Sequence, residues 1–205
     1  MARHSAHLDE KLLQTGLDLI TAEGVKSLTV RKVCQRSNVN LGMFSYFFKN
    51  KEFYIKKLFE VVHTQIDSFL QMDVVRDLNS MEQLRYLLRR LVKFAYENNF
   101  LLRAIIIDFI SDEKLYKEFL QKGIILPQKQ LFTLIEQAQK SGYITTKMDL
   151  EELHEFLFFS IVLPPLCPTL AQLPIGKLEL RQHDFDYYLM RCDKILKELE
   201  VKRHE

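Results

Sequence analysis

Glycine and proline are scarce in this chain, six and five among 205 residues. A turn-rich β architecture needs more of both, so their scarcity favours helices. Cysteine is rarer still. Cys34, Cys167 and Cys192 lie too far apart for a metal-ligand motif or a secreted disulfide framework. Long apolar runs are missing as well. Met1 to Asp9 is polar and offers no signal core, and the most apolar stretch, Phe156 to Leu163, is broken by Ser160 and stops at Pro164-Pro165. A membrane span needs about 20 such residues. These absences lead us to expect a cytoplasmic, reduced protein with no membrane partner. No nucleophile elbow, phosphate loop or HExxH motif occurs, and His154-Glu155 lacks the second histidine. An all-helical enzyme therefore has no sequence support, and neither a metal nor another cofactor is expected. Charge of one sign is not in large excess either: the net charge is +2, with 47% hydrophobic and 27% charged residues, ordinary for a globular protein.

What the chain does have is concentrated between Leu28 and Lys51, LTVRKVCQRSNVNLGMFSYFFKNK. Thr29 can cap a short helix on which Val30, Val33 and Cys34 share one face. Ser37-Asn38-Val39 then reads as a tight turn, because asparagine tolerates the left-handed conformation. Asn40 can cap a second helix opening with uncharged Leu41, Gly42 and Met43, and Phe44 and Phe48 give that helix a buried edge. Asn50 can cap a third, with Lys51 in its first turn. Two short helices joined this way form a helix-turn-helix, whose second helix suits the DNA major groove. A basic footprint coincides with it. Arg31 to Lys57 holds seven basic residues against one acid, Glu52, and residues 1–60 hold ten Lys/Arg against six Asp/Glu. The remainder has 19 against 21, so the positive surface belongs to the N-terminal part.

The segment from about Leu8 to Phe59 resembles the DNA-binding domain of the TetR family of transcriptional regulators. The resemblance rests on Gly24-Val25, on Leu28-Thr29-Val30-Arg31, on Val39-Asn40-x-Gly42 and on Phe48-Lys49-Asn50-Lys51-Glu52. It implies an all-α protein: an N-terminal three-helix helix-turn-helix domain over residues 1–50, a long connecting helix over 51–72, and a helical effector-binding and dimerisation domain over 73–205. Met43 stands where the family has a small hydroxyl residue, and Ser45 where it has a tyrosine, with Tyr46 next to it.

Candidate DNA contacts follow from residue chemistry. Thr29, at a helix N-terminus, can meet phosphate. Arg31 suits phosphate, the groove edge or plain solvent. Gly42 allows close approach of backbone or fits a crowded helix start. Lys49 and Lys51 suit phosphate, while Asn40, Ser45 and Tyr46 offer polar groups to bases or backbone. Leu41, Met43 and Phe47 offer apolar contact, such as to thymine methyls, though Phe47 fits a core equally well.

Further along, Lys51 to about Met72 reads as one long helix and Asp73 to Ser80 as a linker. Helices are expected over 81–99, 112–122, 126–141, 150–163 and 184–200, with Pro164, Pro165, Pro168 and Pro174 marking a loop before the last. Phe185, Tyr188, Cys192, Ile195 and Leu199 recur at spacings of three and four, a seam that packs along another helix, either of the same subunit or of a second copy. With Leu153 and Leu157 they are the candidate homodimer interface, and a dimer would read a palindromic double-stranded operator. An apolar or aromatic small-molecule effector is expected among Phe69, Phe94, Phe100, Phe109, Phe132 and Phe158, with Arg103 and Asp108 the only nearby charges. The resulting expectation is a dimeric repressor released by its effector. The alternative is a non-sequence-specific DNA-binding module.

Overall fold

The computed structural model describes residues 2–111, 125–166 and 184–201, with 2–6, 108–111 and 125–126 described by backbone alone. The helices are α1 (Ala2–Glu23), α2 (Val30–Ser37), α3 (Leu41–Phe48), α4 (Lys51–Phe69), α5 (Ser80–Glu97), α6 (Asn99–Ser111), α7 (Ile125–Lys140), α8 (Leu150–Leu157), α9 (Leu163–Leu166) and α10 (Phe185–Leu199). The fold is all-α, and among the described residues the one β feature is an isolated bridge from Ile144 to Glu200. Two compact units result. One comprises the chain up to Gln65 together with α6 from Phe100; the other comprises Ile66–Asn99 and the chain from α7 onward.

In the first unit α1 lays Leu12, Leu17, Leu19 and Ile20 against the helix-turn-helix, while Leu8 and Leu13 are only half-buried. Gly24 ends α1 at φ 81°, its N–H donating to the Ile20 carbonyl at 2.8 Å. This is the left-handed stop that glycine accepts at least cost. Val25, Leu28, Val33, Val39, Phe44 and Phe48 complete the core. Tyr54 of α4 sits at its centre, with ring centroids 5.0 Å from Phe44 and 4.8 Å from Phe48. Its hydroxyl donates to the Leu12 carbonyl at 2.6 Å, so one side chain joins three helices. Burial holds that phenol protonated by raising its pKa well above the ordinary value.

The second unit is built on α5. Its N-terminus carries a reciprocal capping box, in which Asn79 Oδ1 accepts from the Glu82 N–H at 3.0 Å and Glu82 returns the bond at 3.2 Å. Met81, Leu84, Leu87, Leu88, Leu91, Val92, Phe94 and Ala95 are buried along α5, and α7, α9 and α10 pack against it. Asp193 of α10 binds Arg85 at 3.4 Å and Arg89 at 2.5 Å, and Arg85 also pairs with Glu200.

Two expectations change here. Pro164 and Pro165 do not open a loop. Phe158–Val162 is a π-helical turn, in which Leu163 N–H donates to the Phe158 carbonyl, and the chain continues as α9. The wider turn shifts the register, so both prolines fall in the first turn after it, where missing donors cost little. The linker is also partly ordered: Asp73–Val75 is a 3₁₀ turn that buries Val75. The helix expected over 112–122 and the sites of Cys167, Pro168 and Pro174 lie outside the described residues.

Candidate nucleic-acid interface

The helix-turn-helix is assembled by local hydrogen bonds that the sequence already specifies. Thr29 Oγ1 accepts the Lys32 N–H at 3.2 Å at the α2 N-terminus, which leaves the hydroxyl proton available to donate. Asn38 takes φ 54°, and the following N–H of Val39 donates to Cys34 at 3.0 Å, closing α2. Ser37 is buried and donates to the Val33 carbonyl at 2.7 Å. Asn40 Oδ1 accepts from Met43 N–H at 2.9 Å, and Asn50 Oδ1 accepts from Phe53 N–H at 2.8 Å. Asn40 is thus a cap first: its oxygen is engaged on the backbone, and its NH2 is left to meet DNA.

These caps turn one face of α3 outward. Leu41 is 61% and Tyr46 76% exposed, and Gly42, Ser45 and Lys49 are exposed beside them. Phe44 and Phe48 face the core, as the four-residue spacing requires. Met43 and Phe47 are half-buried on the flanks, with Phe47 edge-on to Tyr46 at 5.2 Å. A β-carbon added at Gly42 meets only Asn40 Oδ1, at 3.3 Å, so the outer surface there is open. Among the basic residues, Lys32 is held by Glu23 at 2.7 Å and Lys57 by Glu60 at 2.5 Å. The hydrogen bond from Lys32 lowers the Glu23 carboxyl pKa. Among the described residues no ion pair engages Arg31, Lys49, Lys51 or Lys56, which leaves them available to phosphate.

Lys49 carries a feature that residue patterns did not reveal. It adopts φ 58°, ψ −58°, and across it the Asn50 N–H donates to the Phe48 carbonyl at 2.5 Å. That is a γ-turn of the strained hand, with a side chain where glycine is preferred, and such conformations cost about 1–3 kcal/mol. The strain sits between the reading helix and α4 and projects the lysine from the α3 surface. Lys49→Gly is therefore expected to stabilise the fold by about 1 kcal/mol while weakening duplex binding. Lys49→Ala should weaken binding with no such gain. Denaturation midpoints of the two variants settle the point: equal stability would mean the turn is unstrained.

The candidate dimer seam divides. Leu153, Leu157, Tyr188 and Cys192 are buried inside the chain itself, where Leu196, absent from the expected seam, joins them. Tyr188 and Cys192 lie on the stripe of α10 that meets α5, while Leu153 and Leu157 lie on α8, which packs against α7, so the apolar surface of all four is used within the one chain. Phe185, Ile195 and Leu199 are half-buried. Among the large apolar groups left outside on these elements are Phe156, Phe159 at 58% and Met190 at 64% exposure.

The expected effector residues do not form one set. Phe100, 63% exposed under the Arg103 guanidinium at 5.5 Å, belongs to the first unit. In the second unit Phe69 and Phe94 pair at 5.2 Å, Phe132 faces His154 at 5.7 Å and Phe158 meets Phe159 at 5.6 Å. Burial disfavours the charged form of His154 and lowers its pKa. The side chains of Asp108 and Phe109 lie outside the described residues.

A helix-turn-helix unit with an exposed, cap-defined reading helix, followed by a helical second unit, defines an architectural class. The fold is that of TetR-family transcriptional regulators. HlyIIR, a hemolysin II transcriptional regulator, superposes with a TM-score of 0.69 at 19% identity, covering 97% of this chain and 99% of that one. The ketosteroid transcriptional regulator KstR2 of Mycobacterium tuberculosis gives 0.70 at 15% identity, covering 95% of each chain. GusR of Salmonella enterica gives 0.65 at 13%, covering 94% of each. The sequence matches no protein-family model and no curated protein. At these identities what is shared is the fold. No helix among the described residues is long and apolar enough to cross a membrane.

Proposed function

We propose that the protein is a dimeric, sequence-specific DNA-binding transcriptional regulator, a repressor released from a palindromic operator by a small-molecule effector. The observation that carries this reading is the outward face of α3. It presents Leu41, Ser45 and Tyr46 beside the Thr29-capped N-terminus of α2 and basic residues with no ion pair among the described residues. Phosphate contacts from Thr29, Arg31, Lys49 and Lys51 would set the register, and Leu41, Met43, Tyr46 and the Asn40 amide would read bases or the sugar edge. An effector in the second unit can act only by preferring one orientation of α4, and the usual coupling would change operator affinity about 5- to 150-fold.

Selection of bound duplexes from a random pool tests the proposal. A palindrome is expected to emerge; equal binding to all duplexes would instead establish a non-specific module. Charge gives a second check. Lys49→Ala and Lys51→Ala should weaken binding to every duplex alike and flatten its salt dependence, by about 0.9 in the log–log slope for each phosphate no longer neutralised per subunit. An unchanged slope would show that these lysines only face solvent. Tyr46→Ala, by comparison, should alter the ranking of operator variants more than the affinity for random duplex.

A further inference from the structure

The second unit contains a cleft of about 300 Å³ between α7, the first turn of α5 and Met72. That is the small end of ligand-site volumes, and the walls are not those of an aromatic pocket. Gln83 comes from α5, and Lys129, Gln130, Thr133 and Gln137 from α7, with Met72 and Leu134 the apolar part of the lining. Lys129, Thr133 and Gln137 recur every four residues, so they form one polar stripe along α7.

Three features state what such a cleft would take. The lining contains no acidic side chain, and Lys129 has no ion pair among the described residues. An anionic group is the natural partner of a lysine so placed. Gln130 Oε1 is buried with no hydrogen-bond partner among the described residues, a desolvated acceptor that gains from any incoming donor. The Gln83 carboxamide is held still by donating to the Arg76 carbonyl at 3.1 Å and the Leu78 carbonyl at 2.7 Å, which leaves its oxygen as a second acceptor. Two acceptors ask for hydroxyl or N–H donors, and one cation asks for a carboxylate.

We propose that this cleft binds a small carboxylate bearing hydroxyl groups, and that it is the effector site of the regulator proposed above, on which reading the regulatory part rests. The location supports a role in control. Met72 lies three residues beyond Phe69, the last residue of α4. The Phe69 carbonyl is capped by two N–H groups of Arg90, whose guanidinium also covers the Phe69 ring at 4.0 Å. A ligand drawn against Met72 therefore presses on the chain next to the anchored end of the helix that begins at the reading head.

Calorimetric titration of the full chain tests this with four probes: gluconate and tartrate as hydroxy acids, hexanoate as an acid without hydroxyls, and glucose as a neutral polyol. At least one hydroxy acid is expected to bind at least tenfold tighter than hexanoate and glucose. Gln130→Leu and Lys129→Gln should each weaken it at least tenfold. Gln130→Leu should also raise the melting temperature of the unliganded protein, since it removes the unsatisfied acceptor, and that readout separates impaired binding from impaired folding. No binding by either hydroxy acid, equal binding by hexanoate, or undiminished binding by both variants overturns the proposal. Recovery of a palindrome without ligand binding would sink only this inference, whereas ligand binding without any preferred duplex would sink only the regulator reading.

Discussion

Gly16→Ala is expected to destabilise the helix-turn-helix unit by about 2–4 kcal/mol, although alanine is the better helix former by about 1 kcal/mol. Gly16 lies in α1 where α4 crosses it. A β-carbon there would stand 2.2 Å from Tyr54 Oη and 2.9 Å from both Tyr54 Cζ and Leu58 Cδ2. Contacts that close cannot persist, so either the helices part or Tyr54 swings away from Leu12. The first loosens the packing around Phe44 and Phe48; the second strands a buried hydroxyl, a cost of about 1–3 kcal/mol. Tyr54→Phe removes the oxygen in the closest contact and should restore part of the stability. The double variant is therefore expected to be more stable than Gly16→Ala alone, with a coupling of about 0.5–3 kcal/mol between the sites. Chemical denaturation of the four proteins completes the cycle. A Gly16→Ala variant as stable as the parent would show that the crossing has room for a methyl group.

Phe159→Asp combined with Met190→Asp is expected to give a folded monomer with operator affinity reduced about 10²- to 10⁴-fold, the advantage that linkage of two reading heads confers. Both side chains are mostly exposed on α10 and the π turn, so charge there leaves the subunit core intact. Exposed large apolar groups on neighbouring elements are what a second copy would cover. Charging Leu153 or Cys192 instead would unfold the chain and say nothing about assembly, because both are fully buried within it. Light scattering and an operator titration report the two effects together. A parent protein that is already monomeric, or a variant that keeps the dimer mass, would show that this surface is not the interface.

Much of the reading head was legible in the sequence because its determinants are local. Thr29, Asn40 and Asn50 each accept a backbone N–H three residues on, Asn38 and Gly24 take left-handed conformations, and Phe44 and Phe48 share a face by spacing alone. Such features depend on residue type and short separation, so the sequence by itself determined the helix-turn-helix and the all-helical fold. Tertiary structure decided the rest. The contact from Tyr54 to Leu12 spans 42 residues, and Gly16 acquires its meaning only when α4 arrives. The seam on α10 had two possible partners, and packing against α5 turned Tyr188, Cys192 and Leu196 inward and left Met190 outside. Lys49 is strained because α3 and α4 must both keep their core faces with only Lys49 and Asn50 between them, and a γ-turn centred on Lys49 makes so short a connection. The cleft at Gln130 is largely polar because α7 turns Leu131, Ile135 and Ala138 into the core on its other side. Periodicity shows that a helix has two faces; only the neighbours that pack against it decide which surface is left for a ligand, a partner or DNA.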